Sequence, residues 1–130
     1  MPFDRKALNL HGVKVLIVDD EPDARDLVQR FLSECGANPT VAASAAEAQR
    51  VLAAFAPDVI ISDIGMPEQD GYEFMRAVRD RGYKMPAVAL TAFARAEDRI
   101  RSIQSGYQMH LPKPVEPAEL VAIVASLAGR

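Results

Sequence analysis

The sequence predicts an α/β domain built on a doubly wound, five-stranded parallel sheet, a (βα)5 arrangement, and three observations carry that prediction. Five short apolar runs alternate with segments of helical period, at roughly 20 to 28 residues per unit, the spacing that parallel strands joined by crossover helices need. Several of these runs are nearly continuous and rich in β-branched residues, the mark of strands covered on both faces. The length, 130 residues with 49% hydrophobic and 25% charged, suits a single core with helices on either side of it.

The first run, residues 13–18, is interrupted only by Lys14 and ends abruptly in Asp19-Asp20-Glu21-Pro22. Pro22 suits a first helical turn, and Leu27, Val28, Phe31, Leu32 and Cys35 then recur at helical spacing until Gly36 offers a left-handed stop. Residues 39–43 form a short second strand. Ser44 and Glu47 make an S-x-x-E capping box for a helix carrying Ala48, Val51, Leu52 and Phe55. A third strand, 58–62, ends at Asp63. Gly65, Met66-Pro67 and Asp70-Gly71 mark a loop, and 72–81 reads as a helix with Phe74, Met75 and Val78 on one face. Residues 86–90 form a fourth strand ending at Thr91, followed by a charged, exposed helix with Ile100 and Ile103 that stops near Gly106. A short fifth strand at 108–111, the Pro112-Lys113-Pro114 loop and a last helix over 117–127 complete the chain. Residues 1–11 read as a polar lead-in and 12–130 as the domain.

Composition removes several function classes. A single cysteine, Cys35, with only His11 and His110 beside it excludes an internal disulfide and a Cys/His zinc cluster. No apolar run approaches the roughly 20 residues of a membrane span, so a cytoplasmic protein without membrane partners is expected. Fifteen Lys+Arg against eighteen Asp+Glu, with no basic run, argue against direct nucleic-acid binding.

In doubly wound sheets the ligand site lies beyond the carboxyl ends of the strands, where the winding reverses. The residues there are Asp19, Asp20, Asp63, Thr91 and Lys113. Taken singly, each has an ordinary explanation as a helix cap, a turn residue, a satisfied hydroxyl or a solvated lysine. Taken together, they fall at the ends of strands one, three, four and five. Three converging carboxylates need a compensating cation, and Mg²⁺, which prefers oxygen ligands and is shared with phosphoryl groups, fits them. An aspartate at a strand end can act as a nucleophile on phosphorus, with the lysine neutralising the phosphoryl oxygens, Thr91 donating a hydroxyl and the small Ala92 leaving room.

The motifs Val-Leu-Ile-Val-Asp-Asp-Glu at 15–21, Asp-Ile-Gly-Met-Pro at 63–67 with Asp70-Gly71, Leu90-Thr91-Ala92, and Leu-Pro-Lys-Pro at 111–114 resemble those of the receiver domains of two-component response regulators, over roughly 12–127. The resemblance implies a flavodoxin-like receiver fold with strand order 2-1-3-4-5. It implies that Asp63 accepts a phosphoryl group from a histidine kinase or histidine phosphotransfer protein. Asp20, Asp63 and the Gly65 carbonyl would ligate Mg²⁺, with Asp19 binding through water. Thr91 would be the switch hydroxyl and Lys113 the phosphate-contacting residue, its bond to Pro114 cis. Phosphorylation in the family shifts the face made by the fourth helix, fifth strand and fifth helix, where a downstream protein partner is expected. The domain is not expected to be an enzyme beyond catalysing its own phosphorylation and slow dephosphorylation.

The chain departs from the family pattern in two respects. The switch position on strand five, commonly Tyr or Phe, is His110, which is either an ordinary half-buried histidine or a pH-sensitive switch residue. Gly65 and Phe93 stand where polar side chains can orient a hydrolytic water, so slow loss of the phosphoryl group is expected. A flavin-binding module would need a Gly-, Ser- or Thr-rich loop after strand one, where the acidic Asp19-Asp20-Glu21 would repel phosphate. A phosphatase would need a second acid at Gly65. The alternative is a pseudo-receiver that binds a partner without phosphorylation. No room for an output domain is expected after Arg130, and both a stand-alone regulator and the receiver of a hybrid histidine kinase fit the sequence, the latter through its lead-in and the stretch 111–120.

Overall fold

A computed structural model describes residues 9–92 and 95–130. Ten elements alternate along the chain: β1 Lys14–Val18, α1 Pro22–Glu34, β2 Asn38–Ala42, α2 Ala45–Phe55, β3 Val59–Asp63, α3 Gly71–Asp80, β4 Ala87–Thr91, α4 Ala96–Ser105, β5 Met109–Pro112 and α5 Pro117–Leu127. All strand pairings are parallel, in the order β2-β1-β3-β4-β5. The expected doubly wound sheet is therefore present, with β1 and β3 adjacent where the winding reverses.

The period of two along each strand divides the core in two. Val15, Ile17, Val59, Ile61, Val88 and Leu90 pack against α1 and α5 on one face. Leu16, Val18, Ile60, Ala87 and Ala89 pack against α2 and α3 on the other. Every residue of β3 and β4 is buried, which explains why apolar residues follow one another without alternation over 59–61 and 87–90.

Three local features differ from the sequence-based expectation. Leu27, placed on the apolar stripe of α1, is 44% exposed, whereas Val28 and Leu32 carry the packing. The Ser44 hydroxyl accepts from Glu47 N–H as expected, but the Glu47 carboxylate turns to the Ala43 N–H, so the box is not reciprocal. A reciprocal box forms instead at Asp70 and Glu73, and α3 begins at Gly71, inside what reads as a loop. Of the polar lead-in, residues 1–8 lie outside the described residues. Leu10 is fully buried and its N–H donates to the Cys35 carbonyl, which ties the segment before β1 to the end of α1.

Candidate functional site

The strand register gathers the singled-out residues. Val18 pairs with Ser62 and Asp63 with Leu90, so the chain immediately after β1 meets the last residue of β3; Thr91 pairs with Pro112, one residue before Lys113. Asp19, Asp20 and Asp63 each place a carboxylate oxygen so that all three lie within 4.8 Å of one another. The Lys113 Nζ sits 3.1 Å from Asp63 Oδ1 and 3.2 Å from Asp19 Oδ2. Asp19, Asp63 and Thr91 are buried, whereas Asp20 is exposed.

Local structure aims these groups. Asp19 Oδ1 accepts from the Glu21 N–H and its carbonyl accepts from the Arg25 guanidinium, so the turn into α1 holds the carboxylate inward. Pro22 starts α1 and, having no N–H, leaves one fewer first-turn donor in need of an acceptor. The Lys113–Pro114 bond is cis, as the resemblance implied, and Lys113 N–H donates to the Thr91 carbonyl, fixing the start of the lysine side chain beside β4. A cleft of about 510 Å³ opens over the carboxylates, and Gly65, Thr91, Ala92 and Lys113 are part of its wall.

The electrostatics follow from this packing. Burial pushes the Asp63 carboxyl above its ordinary range, the Asp19 charge adds to the push, and Lys113 pulls it back only in part. Burial alone would lower Lys113, but its hydrogen bond to Asp63 and the charges of Asp19 and Asp63 outweigh that and raise it. Three carboxylates against one ammonium leave the cluster two charges negative. An oxygen-only donor set with that deficit suits a hard divalent cation, which Mg²⁺ satisfies.

His110 is not in the cleft wall. It lies half-buried on β5 beside Arg99, Ser102 and Ile103 of α4. Its Nε2 is buried with no hydrogen-bond partner among the described residues. Phe93, part of the other departure from the family pattern, lies outside the described residues. The cleft also includes Asp70, which the sequence marked only as part of a loop and of the family motif, and Tyr72 and Asp98, which sequence reasoning did not single out. For Asp70 the signal was present as D-x-x-E over 70–73. Nothing local marks Tyr72 or Asp98, because only the packing of α4 on α3 brings Asp98 over the site, with the Tyr72 hydroxyl donating to the Asp98 carbonyl.

A family model described as the response regulator receiver domain matches residues 15–125. An uncharacterized 14.6 kDa protein from the sodA1 3' region of Leptolyngbya boryana is 46% identical over 117 residues, covering 88% of this chain and 89% of its own length. Response regulator Rre1 of Synechocystis sp. is 43% identical over 91% of this chain, which spans 52% of that protein. Sensor histidine kinase RcsC of Salmonella typhi is 35% identical over 98% of this chain, which spans only 13% of that protein. Among solved structures, the receiver domain of Francisella response regulator 1452 superposes with a TM-score of 0.87 at 30% identity, covering 92% of this chain and 98% of that one. Chemotaxis protein CheY4 of Vibrio cholerae gives 0.85 at 34% identity over 89% of this chain and 98% of that one. With strand order, strand-end chemistry and relatives in agreement over almost all of its length, the chain belongs to the response regulator receiver domain family.

Proposed function

We propose that this receiver domain takes a phosphoryl group from a phosphohistidine, on a histidine kinase or phosphotransfer protein, onto Asp63 and thereby switches a downstream protein partner in a two-component phosphorelay. The observation that carries the reading is Asp63 itself: a buried carboxylate at a strand end, 3.1 Å from Lys113 Nζ and grouped with two further carboxylates under an open cleft. An Asp63 carboxylate oxygen forms the new bond to phosphorus as the P–N bond breaks, and the departing imidazole nitrogen retains the electron pair and takes up a proton from solvent. Lys113, already beside the acceptor oxygen, neutralises a phosphoryl oxygen. Thr91, in the same cleft, donates its hydroxyl to another.

Asp20, Asp63 and the Gly65 carbonyl would hold Mg²⁺, with Asp19 contributing through water. The ion, when bound, neutralises charge that builds up on the phosphoryl group. The domain turns over no other substrate; it modifies itself and loses the group slowly. The face of α4, β5 and α5 carries the output, with Ile100, Ile103 and Met109 exposed on it. Action in the cytoplasm without direct nucleic-acid contact belongs to the same reading, supported by a cysteine content of one and the mildly acidic balance.

Intact mass after incubation with a small-molecule phosphodonor and Mg²⁺ tests the reading. One phosphoryl adduct is expected, lost in Asp63→Ala and with a chelator. No adduct with small donors or with a phosphorylated histidine protein, although Mg²⁺ binds, would replace it by a phosphorylation-independent binding module.

A further inference from the structure

Beneath the cleft lies a second polar cluster that the phosphoryl-transfer chemistry does not use. Tyr107 follows the end of α4 and is 2% exposed, yet it carries a hydroxyl into the core. That hydroxyl donates to the Gly71 carbonyl at 2.7 Å, across 36 residues of sequence. The fully buried Ser62, next to the phosphoacceptor in β3, lies beside the same phenol and donates its hydroxyl to the Asp63 carbonyl at 3.0 Å. Burial holds the phenol strongly in its protonated, donating form.

Gly71 is the hinge of this arrangement. Its N–H donates to the Ile64 carbonyl at 2.9 Å. A Cβ at this position would lie 2.4 Å from the Asp63 carbonyl oxygen and 2.8 Å from Ile64 Cα. The first residue of α3 is thus seated directly on the Asp63–Ile64 peptide, and its place sets the place of that peptide. The phenol approaches from a segment that is itself well held. The Arg79 guanidinium donates twice to the Gly106 carbonyl, at 3.1 and 2.8 Å, and Gln108 exchanges hydrogen bonds with both backbone groups of Ala87.

We propose that Tyr107 is a positioning residue for the phosphoacceptor: its buried hydroxyl pins Gly71, and Gly71 with Ser62 fixes the peptide that aims the Asp63 carboxylate at the cleft. The same contacts tie both ends of α3 to the turn between α4 and β5, Gly71 through Tyr107 and Arg79 through Gly106. A displacement of Asp63 on phosphorylation therefore has a direct mechanical route to the start of β5, the strand that carries His110. This rests on the phosphoryl-acceptor reading above.

The test uses Tyr107→Phe, which removes only the oxygen, and Ser62→Ala, which removes the second hydroxyl should the first variant fold poorly. Val121→Ala, in the opposite half of the core, serves as a control destabilised without touching the network. Rates of phosphorylation by a small-molecule donor at saturating Mg²⁺ are measured by intact mass where all variants are folded. A fall of about tenfold for the network variants, with the control close to the native rate, is expected for a misaimed nucleophile. Network variants that lose thermal stability but keep the native rate would reduce Tyr107 to a packing role and overturn the proposal. A native chain that takes no phosphoryl group at all would instead remove the reading on which it stands.

Discussion

At the scale of single residues, the site is defined as much by missing side chains as by present ones. Gly65 lies in the cleft wall two positions beyond Asp63, with open space where a Cβ would stand. Without a polar group there to orient water against the phosphoryl group, the aspartyl phosphate in Mg²⁺ is expected to last minutes or longer; a lifetime of seconds, followed by intact mass after donor removal, would contradict this. His110 gives a second expectation. Burial lowers its pKa; the Asp98 carboxylate opposes this and Arg99 reinforces it. A histidine whose folded pKa is depressed favours the native state fully above its unfolded value near 6.5, and that contribution is lost as pH falls through the window down to the folded value. Urea denaturation from pH 7 to pH 5 should therefore show the native chain losing stability over a range in which His110→Phe loses less. An activation profile that also flattens in His110→Phe would make this residue a pH-sensitive part of the switch.

At the scale of elements, hydrophobic period located the helices, the apolar face of α3 and the exposed character of α4. In α3, Phe74, Met75 and Val78 are fully buried, whereas in α4 Ile100 and Ile103 are 55% and 63% exposed and Ser102 and Ser105 face inward. The two serines hydrogen-bond back to the Asp98 and Arg101 carbonyls, which satisfies their hydroxyls and lets α4 lie close to α3. The Arg101 guanidinium over the Tyr72 ring at 4.2 Å completes that contact. Phe74→Ala should accordingly cost about 3–5 kcal/mol, and Ile103→Ser should change stability by no more than about 0.5 kcal/mol. Both are read from urea midpoints at constant slope. Equal losses would mean that α4 is packed as firmly as α3 and that its apolar residues are not held ready for a partner.

At the scale of the whole molecule, the alternation of strand and helix was legible because buried parallel strands leave little freedom in composition, and β3 and β4 are buried at every position. The strand-end residues were legible because their convergence follows from that topology alone. Tyr107, Tyr72 and Asp98 were not, since their positions depend on how α4 packs on α3, which no local spacing encodes. The same long-range assembly sets the balance of stability. Folding brings Asp63 beside Asp19 and Asp20, and burial with that repulsion raises its pKa. A carboxyl whose folded pKa exceeds its unfolded one destabilises the native state above the folded value, and the penalty disappears as pH falls towards the unfolded value near 3.8. At neutral pH without metal, Asp63→Asn should therefore melt higher than the native chain. Added Mg²⁺ should reverse the order. At about 100 times its dissociation constant a ligand specific to the folded state contributes about 2.7 kcal/mol, or roughly 10 °C in a domain of this size, and only the chain that keeps all three carboxylates can gain that in full. Thermal melts of the two chains with and without Mg²⁺ check both signs at once; a native chain that fails to rise would mean that the three carboxylates, for all their proximity, do not hold the ion.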